Sequence, residues 1–492
     1  MKKIVLFTFI LTIFTVIACK DFLEKENPNE LTTSSYFKTE AQAIAAVNAI
    51  YGALQANNLY EREYFFLQDC LSDDVQSGGA QLEAPRAQVI NHVFDGSNKL
   101  VNDNWQGWYR VILRANFAIA NLPNAEGISA ALKTRLLGEA YYLRGWAYFE
   151  LVSLWGGVPI YTEPSTSPTG KPRSTEAEVY SLILSDLNTA ETNLPLKSAI
   201  EAGRASKGAA QALKGKVHMF RGNYNDAKTE LLKVVNSNEY SLVNRYLDNF
   251  ETENEFNSES IFEVLFQEED GGNSGAWNGS ANEGNQDITF RGQEYSPTPG
   301  SWRNTNPNQS LVNEYEPGDP RYDYNFYKTG DTYNNGTLTL NIAGVGWRKY
   351  TNAYKRATED FQSGINFRVI RLADVYLMLA EAENEINGPN ATALGYLNMT
   401  RNRADVSMPN YPTVTYPTVT KAQMFAAIVH ERRVELAGEQ IRNRDIRRWR
   451  RQSKLASEPL AAYQAKYDLL PIPISELSNN SALTSADQNP GY

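Results

Sequence analysis

Apolar residues recur at helical spacing along most of the chain. Ile44, Val47, Ile50, Tyr51 and Leu54 follow Thr39-Glu40-Ala41-Gln42, where a Thr with a Gln three residues later forms a capping-box signature. A second helical block spans Asn102 to Leu122. A third runs from Ser129 to Leu154 and meets a stop at Gly156-Gly157-Val158-Pro159. A fourth begins at Thr175, again with an acidic partner at Glu178, and carries Val179, Leu182, Ile183, Leu187 and Ala190 on one face.

The next pair is the most informative. Ala209, Leu213, Val217 and Phe220 mark one helix face, Gly222-Asn223-Tyr224 breaks the chain, and Ala227, Leu231, Val234 and Val235 mark a second face. Two helices joined by a tight turn, with Ala residues where they cross, is the tetratricopeptide layout. It recurs in degenerate form at Arg371 to Ile386, Gly388-Pro389, then Ala391 to Ala404. A last pair starts at Thr420, with Gln423 as its box partner, and continues through Trp449. The fold predicted is mainly α: a tetratricopeptide-like scaffold of helical pairs with long irregular loops and a few short strands.

From Ile261 to Phe367 the chain changes material. Ile261 to Phe266 reads as a short strand, after which periodicity disappears into Gly, Asn, Ser and aromatic residues. An irregular segment this long inside a compact protein is usually functional. It holds Trp277, Trp302 and Trp347, three of the eight Trp residues, with Tyr295, Tyr315, Tyr322, Tyr324 and Tyr327.

The N-terminus carries an export signal. Lys2 and Lys3 precede an apolar run from Ile4 to Ile17, shorter than the roughly 20 residues that a spanning helix needs. Val16-Ile17-Ala18-Cys19 resembles a loose lipobox, which makes Cys19 the lipidation site and the first residue of the mature chain. No later run is long enough to span a membrane, so the body is expected to be anchored by lipid rather than embedded.

Charge and cysteine usage narrow the chemistry. The chain has 492 residues and a net charge of -10, and loss of Lys2 and Lys3 takes the mature form to about -12. That balance disfavours nucleic acid and anionic polymers as partners. Cys70, the only other cysteine, lies in an apolar stretch and reads as a small buried hydrophobe. His430-Glu431-Arg432-Arg433-Val434 lacks the second His of a helical zinc site, and no phosphate loop, dinucleotide fingerprint or nucleophile elbow is present. No cofactor, no metal site and no catalytic residue is expected. The alternating signs from His430 to Arg451 suggest an ion-pair lattice between helices rather than a nucleic-acid surface.

The aromatic segment points to binding. A sugar ring has an apolar C–H face that a flat aromatic side chain covers at low ordering cost, while Asn, Gln, Asp and Arg groups hydrogen-bond its hydroxyls. Trp277, Tyr295, Trp302 and Trp347 are therefore the candidate stacking residues. The alternative is that these rings pack the segment against the helices. A second candidate loop follows Leu71 and reaches Arg86. In it Asp73 and Arg86 are candidate polar contacts, although Asp73 reads first as a capping or turn residue.

At its C-terminal motifs the chain resembles the SusD/RagB family of Bacteroidota outer-membrane nutrient-binding lipoproteins. Phe367-Arg368-Val369-Ile370-Arg371-Leu372-Ala373-Asp374-Val375-Tyr376-Leu377-Met378-Leu379-Ala380-Glu381-Ala382 is similar to the family's central motif. Arg401-Asn402-Arg403-Ala404, then Glu431-Arg432 with Glu435-Leu436, Glu439, Asp445 and Arg448-Trp449, continue it in order. Leu470-Pro471-Ile472-Pro473 and Gln488-Asn489-Pro490-Gly491-Tyr492 close it, and Cys19-Lys20-Asp21-Phe22-Leu23-Glu24 looks like the family's start. Gln440 and Arg444 depart from a usual Gly and a usual aromatic residue.

The resemblance implies a cell-surface lipoprotein on the outer membrane that captures oligosaccharides and passes them to a SusC-like TonB-dependent transporter. A peptide-binding member of the same family, or a surface glycosidase, are the alternatives. The motif residues are scaffold, so the resemblance assigns no ligand contact. The expected organisation is a signal peptide at 1–18, a lipidated tether at 19–29, a helical region at 30–260, a loop-rich ligand-binding insertion at 261–367 and a C-terminal helical region at 368–492.

Overall fold

The computed structural model describes residues 37–79, 82–164, 169–268, 288–359 and 363–492. The signal peptide, Cys19 and the tether lie outside the described residues, as does Trp277. The N-terminal half is helical: α1 (Glu40–Leu54), α2 (Glu63–Cys70), α3 (Ala84–Ile90), α4 (Lys99–Asn121), α5 (Ala130–Trp155), α6 (Glu176–Asn193), α7 (Lys207–Phe220) and α8 (Tyr224–Asn236), with a three-residue strand β1 (Val75–Ser77) between α2 and α3. After strand β2 (Ser260–Val264) come short pieces: α9 (Arg291–Tyr295), β3 (Thr305–Pro307), α10 (Gln309–Val312), α11 (Arg321–Asn325), β4 (Phe326–Lys328), β5 (Thr332–Tyr333), β6 (Leu338–Thr339) and β7 (Val345–Trp347). Strand β8 (Phe367–Arg371) then leads directly into α12 (Leu372–Asn387), followed by α13 (Ala391–Arg401), α14 (Lys421–Glu435), α15 (Arg442–Arg451) and α16 (Ile474–Asn479).

The mainly α scaffold expected from periodicity is present, and three of its starts are the predicted capping boxes. Thr39, Thr175 and Thr420 each close a full capping box, in which the Thr side chain accepts from a backbone N–H three residues on and that residue's side chain accepts the Thr N–H. The helices stack in sequence: α1 on α4, α4 on α5, α5 on α6, α6 on α7, α7 on α8, then α8 on α12 and α12 on α13 and α14. At the α7–α8 crossing Gly215 allows the close approach, since a Cβ there would lie 2.5 Å from Leu231 Cδ2. Gly222, with φ +72°, turns the chain between the two. This is the helical-pair geometry that the Ala spacing predicted.

Three elements were not visible as pattern. In α2 all eight residues are buried, including Glu63, Gln68 and Asp69, so no polar stripe marks its face. Arg86 belongs to α3 rather than to a loop. Strand β8 pairs antiparallel with β2, from Ser260 opposite Arg371 to Val264 opposite Phe367. The irregular segment therefore leaves and returns at two adjacent strands, which seats both its ends against the helical core.

The charge cluster of α14 and α15 is an ion-pair lattice, as its alternating signs suggested. Arg432 bridges Asp374 (2.9 Å) and Asp445 (2.7 Å), and Arg448 bridges Glu381 (2.6 Å) and Asp445 (2.9 Å). Cys70, the last residue of α2, is fully buried, and burial pushes its thiol well above the ordinary range. No helix among the described residues is long and apolar enough to cross a membrane.

Candidate functional site

The two loops singled out from the sequence are one structure. Strand β1 pairs antiparallel with β3, Val75 opposite Pro307 and Ser77 opposite Thr305. The Gly78 N–H donates to Asn304 O (2.9 Å) and the Asn308 N–H to Asp74 O (2.7 Å), extending the pairing at both ends. Asp73, Arg86 and Trp302, about 230 positions apart at the extremes, are thereby carried on one ladder and its flanks.

Trp302 sits half-buried at the edge of this ladder. Its backbone N–H donates to Gln293 O (2.9 Å), which ties it to α9. The Arg62 guanidinium lies 5.5 Å from the ring centroid, within cation–π range. Arg62 is in turn held by the fully buried Glu294 and by Glu83 (3.0 Å), whose side chain is 46% exposed. Burial pushes the Glu294 carboxyl up, against the lowering pull of Arg62 and Arg86. Asn304 completes the support: its side chain donates to Glu294 Oε2 and its backbone N–H to Glu294 O (2.8 Å). Next to Trp302, Arg303 stands at φ 48° and donates to Asn306 Oδ1 (2.6 Å) and to the carbonyls of Ala343 (2.8 Å) and Val345 (3.0 Å). The result is an aromatic wall whose ring is fixed from behind by charge, with planar polar groups beside it. Rigid aromatic faces of this kind lose little entropy on binding a ring-shaped ligand.

The other sequence candidates are placed differently. Tyr295 is fully buried: Arg291 lies 4.1 Å from its centroid, Phe65 packs edge-on at 5.2 Å and its hydroxyl donates to Asp69 (3.0 Å). Trp347 is also fully buried, packed over Gly438, where an added Cβ would meet its ring at 3.0 Å, and beside Phe326 at 5.6 Å. Neither ring has a face open to solvent, because the irregular segment needs aromatic residues for its own core. Arg86 lies over the Phe66 ring at 3.9 Å and pairs with Glu63 (2.7 Å), so it braces Glu294 and Arg62 from beneath. Asp73 is bound by Arg442 (2.7 Å) and Arg433 (3.0 Å). Burial opposes its ionisation, but the Arg442 and Arg433 charges hold its carboxyl below the ordinary carboxylate range. Of the three candidate rings among the described residues, Trp302 alone is not fully buried. Arg62, Glu83, Glu294 and Asn304 form the support, and of these only Asn304 carried a sequence signal, through its place beside Trp302.

Comparison with known proteins bears on this arrangement. A family model described as "SusD family" matches residues 319–492, and one described as "Starch-binding associating with outer membrane" matches residues 21–219. SusD-like protein P25 of Formosa agariphila is 28% identical, with 100% of this chain and 99% of that protein covered. A SusD-like protein of Bacteroides ovatus is 25% identical over 88% of this chain and 80% of its own length. Among solved structures, a laminarin-binding SusD-like protein superposes with a TM-score of 0.77 at 28% identity, covering 93% of this chain and 100% of that one. A SusD superfamily protein from Bacteroides vulgatus has the same TM-score at 25% identity, with 93% and 100% covered.

Proposed function

The chain belongs to the SusD family, and from that premise we propose that it is a cell-surface glycan-binding lipoprotein that captures oligosaccharides and delivers them to a SusC-like TonB-dependent transporter. The observation that carries the reading is Trp302, an aromatic ring at the surface fixed by Arg62 and a buried Glu294 on a ladder joining two chain segments. Such a wall offers a stacking face for a pyranose ring, with Glu83 and Arg303 beside it for the hydroxyls. The laminarin-binding relative makes a β-glucan the first ligand to try. Trp277 is proposed as a second stacking residue from its sequence context alone. Cys19 is proposed as the lipid anchor to the outer membrane, with residues 20–29 as the tether. Binding rather than catalysis is the activity proposed, in keeping with relatives named as SusD-like proteins.

Calorimetric titration of the mature chain with laminarin oligosaccharides, beside α-glucan, xylan and peptide panels, tests the ligand class. Trp302→Ala should weaken the glycan binding by about tenfold, the worth of one aromatic contact. Equal affinity in wild type and variant for every glycan that binds would rule out Trp302 as the stacking face. Cys19→Ala should release a folded, binding-competent chain from the membrane, and normal uptake by cells carrying it would contradict the anchored role.

A further inference from the structure

The helical face carries a second concavity that shares no residue with the Trp302 wall. Two adjoining hollows of about 360 and 320 Å³ are walled in common by Glu201-Ala202-Gly203-Arg204 and Glu263, and a third, of about 570 Å³, meets them at Glu201 and extends to Arg135 and Glu40. The partition between the first two is the link from α6 to α7. It lies against the end of β2 because of Gly203, which has φ +86° and whose added Cβ would meet Leu265 Cδ2 at 2.6 Å. Any side chain there would force the link away and merge or close the hollows.

One residue in the wall is held in an unfavourable backbone state. Phe256 has φ 55°, a region that bulky residues rarely enter. Its N–H donates to Glu263 Oε1 (3.1 Å), and Glu263, 2% exposed, is itself fixed by the Asn366 amide (2.9 Å). Phe256 lines the first of these hollows, is half-buried and has no aromatic or cationic partner among the described residues. A strained aromatic that lines a hollow is the kind of outlier that points to a ligand. Around it the polar groups are already oriented. Ser198 donates from N (2.7 Å) and Oγ (3.0 Å) to Glu239, and Arg204 spans Glu139 (2.9 Å) and Asn48 (3.0 Å). Each carboxylate oxygen retains acceptor capacity beyond these bonds. Glu201 is balanced by Arg204 (2.6 Å), Glu263 by Arg368 (3.4 Å), and Lys197 lies within the field of Glu239, so the two inner hollows carry little net charge, which suits a neutral ligand.

We infer that this trough is a second carbohydrate site, taking a short linear neutral oligosaccharide with Phe256 as its stacking face and Glu239 and Arg204 as hydroxyl partners. The inference stands apart from the Trp302 reading. The mature Trp302→Ala chain is therefore the test protein, probed with neutral β-glucan, α-glucan, xylan and mannan oligosaccharides, an oligouronate and an unrelated peptide panel. Hydrogen-exchange protection is followed at 197–206 and 254–263. At least one neutral oligosaccharide should protect both stretches. Phe256→Gly keeps the left-handed backbone without strain, so its thermal midpoint should not fall, while the protected complex should weaken by about tenfold. Three outcomes each overturn the inference: no neutral oligosaccharide protecting these stretches, protection by the oligouronate or peptides only, or equal affinity in the Phe256→Gly chain. Unchanged glycan affinity in the Trp302→Ala chain, with protection kept here, would defeat only the Trp302 site.

Discussion

The helical pairs and the segment between β2 and β8 are built on different principles. In the α7–α8 pair the contact is local and rests on close apolar approach: Gly215 of α7 lies against the buried Leu231 of α8, and the two helices adjoin in the chain. The described residues of the segment from 265 to 366 add buried charge to their apolar contacts with the scaffold. Arg321 pairs with Glu431 (2.5 Å) and Glu435 (3.0 Å) of α14, Lys349 pairs with Glu439 (2.9 Å), and Arg291 donates to Gly438 O (2.9 Å). Apolar burial tolerates sliding and rotation, whereas a buried ion pair is costly unless every partner is in place. The helices therefore specify a scaffold by periodicity, and the charges fix where one irregular segment sits on it. That placement is what brings β3 to β1 and Trp302 onto Arg62.

The sharpest way to break this contrast is Glu435→Ala. Burial opposes ionisation of Glu435, but Arg403, Arg371 and Arg321 outweigh it and hold the carboxyl far below its ordinary value. The substitution strips a partner from three buried guanidinium groups, at 3.0 Å (Arg321), 2.8 Å (Arg371) and 2.9 Å (Arg403). It should cost about 3–5 kcal/mol in urea unfolding, the usual penalty for leaving buried charge uncompensated. A loss below about 1 kcal/mol would mean that the charges are dispensable to the seam. Next in size is Leu231→Ala, which empties the α7–α8 crossing against Gly215. A cost of about 3 kcal/mol is expected, with glycan affinity at Trp302 unchanged, because no charge of the seam is touched. Reduced affinity in that variant would show that the two regions are coupled more tightly than the contrast allows.

Smaller still is Thr175→Ala at the start of α6. The Thr175 Oγ1 accepts from the Glu178 N–H (3.3 Å) and the Thr175 N–H donates to Glu178 Oε2 (2.7 Å). Losing the side-chain half of the box should cost about 1 kcal/mol. Hydrogen exchange should quicken in the first turn of α6 and nowhere in 288–359. A spread of the effect into that segment would be the informative failure.

These differences set what could be read from sequence. The helix starts at Thr39, Thr175 and Thr420 were legible because a capping box is a local code of two residues, and the α7–α8 pair because its apolar spacing survives in one dimension. Helix α2 was not, since Glu63, Gln68 and Asp69 are buried beside Phe65 and Phe66 and the face carries no contrast. The pairing of β1 with β3 joins residues some 230 positions apart through backbone groups, which leave no trace in side-chain type. Tyr295, Trp302 and Trp347 look alike as sequence: aromatic residues among Gly, Asn and Ser. What separates them is burial, complete for Tyr295 and Trp347 and partial for Trp302, and that is decided only when the segment is seated. Composition marked the segment, and burial separates its described rings.

His430 offers the finest probe of that seating, because it joins α14 to the turn after α10. Its side chain is 1% exposed, its Nδ1 lies 2.7 Å from Glu314 Oε1, its Nε2 lies 3.5 Å from Glu316 Oε2, and Tyr416 stacks on the ring at 4.4 Å. Burial alone would disfavour the imidazolium, but the hydrogen bonds and charges of Glu314, Glu316 and Glu431 more than reverse this, so the folded pKa stands above the ordinary value of 6.5. The folded state then binds the proton more tightly than the unfolded chain. The resulting stabilisation is complete below about pH 6.5 and is lost as pH rises through the folded pKa. It should amount to about 1 kcal/mol or less, the net worth of one such bond. His430→Gln, which keeps a donor but cannot titrate, should flatten this part of the stability–pH curve while leaving helix content unchanged. If wild type and variant follow parallel curves between pH 6 and pH 9, the imidazolium contributes nothing to the Glu314 turn, which Arg433 (3.3 Å) would then hold without it.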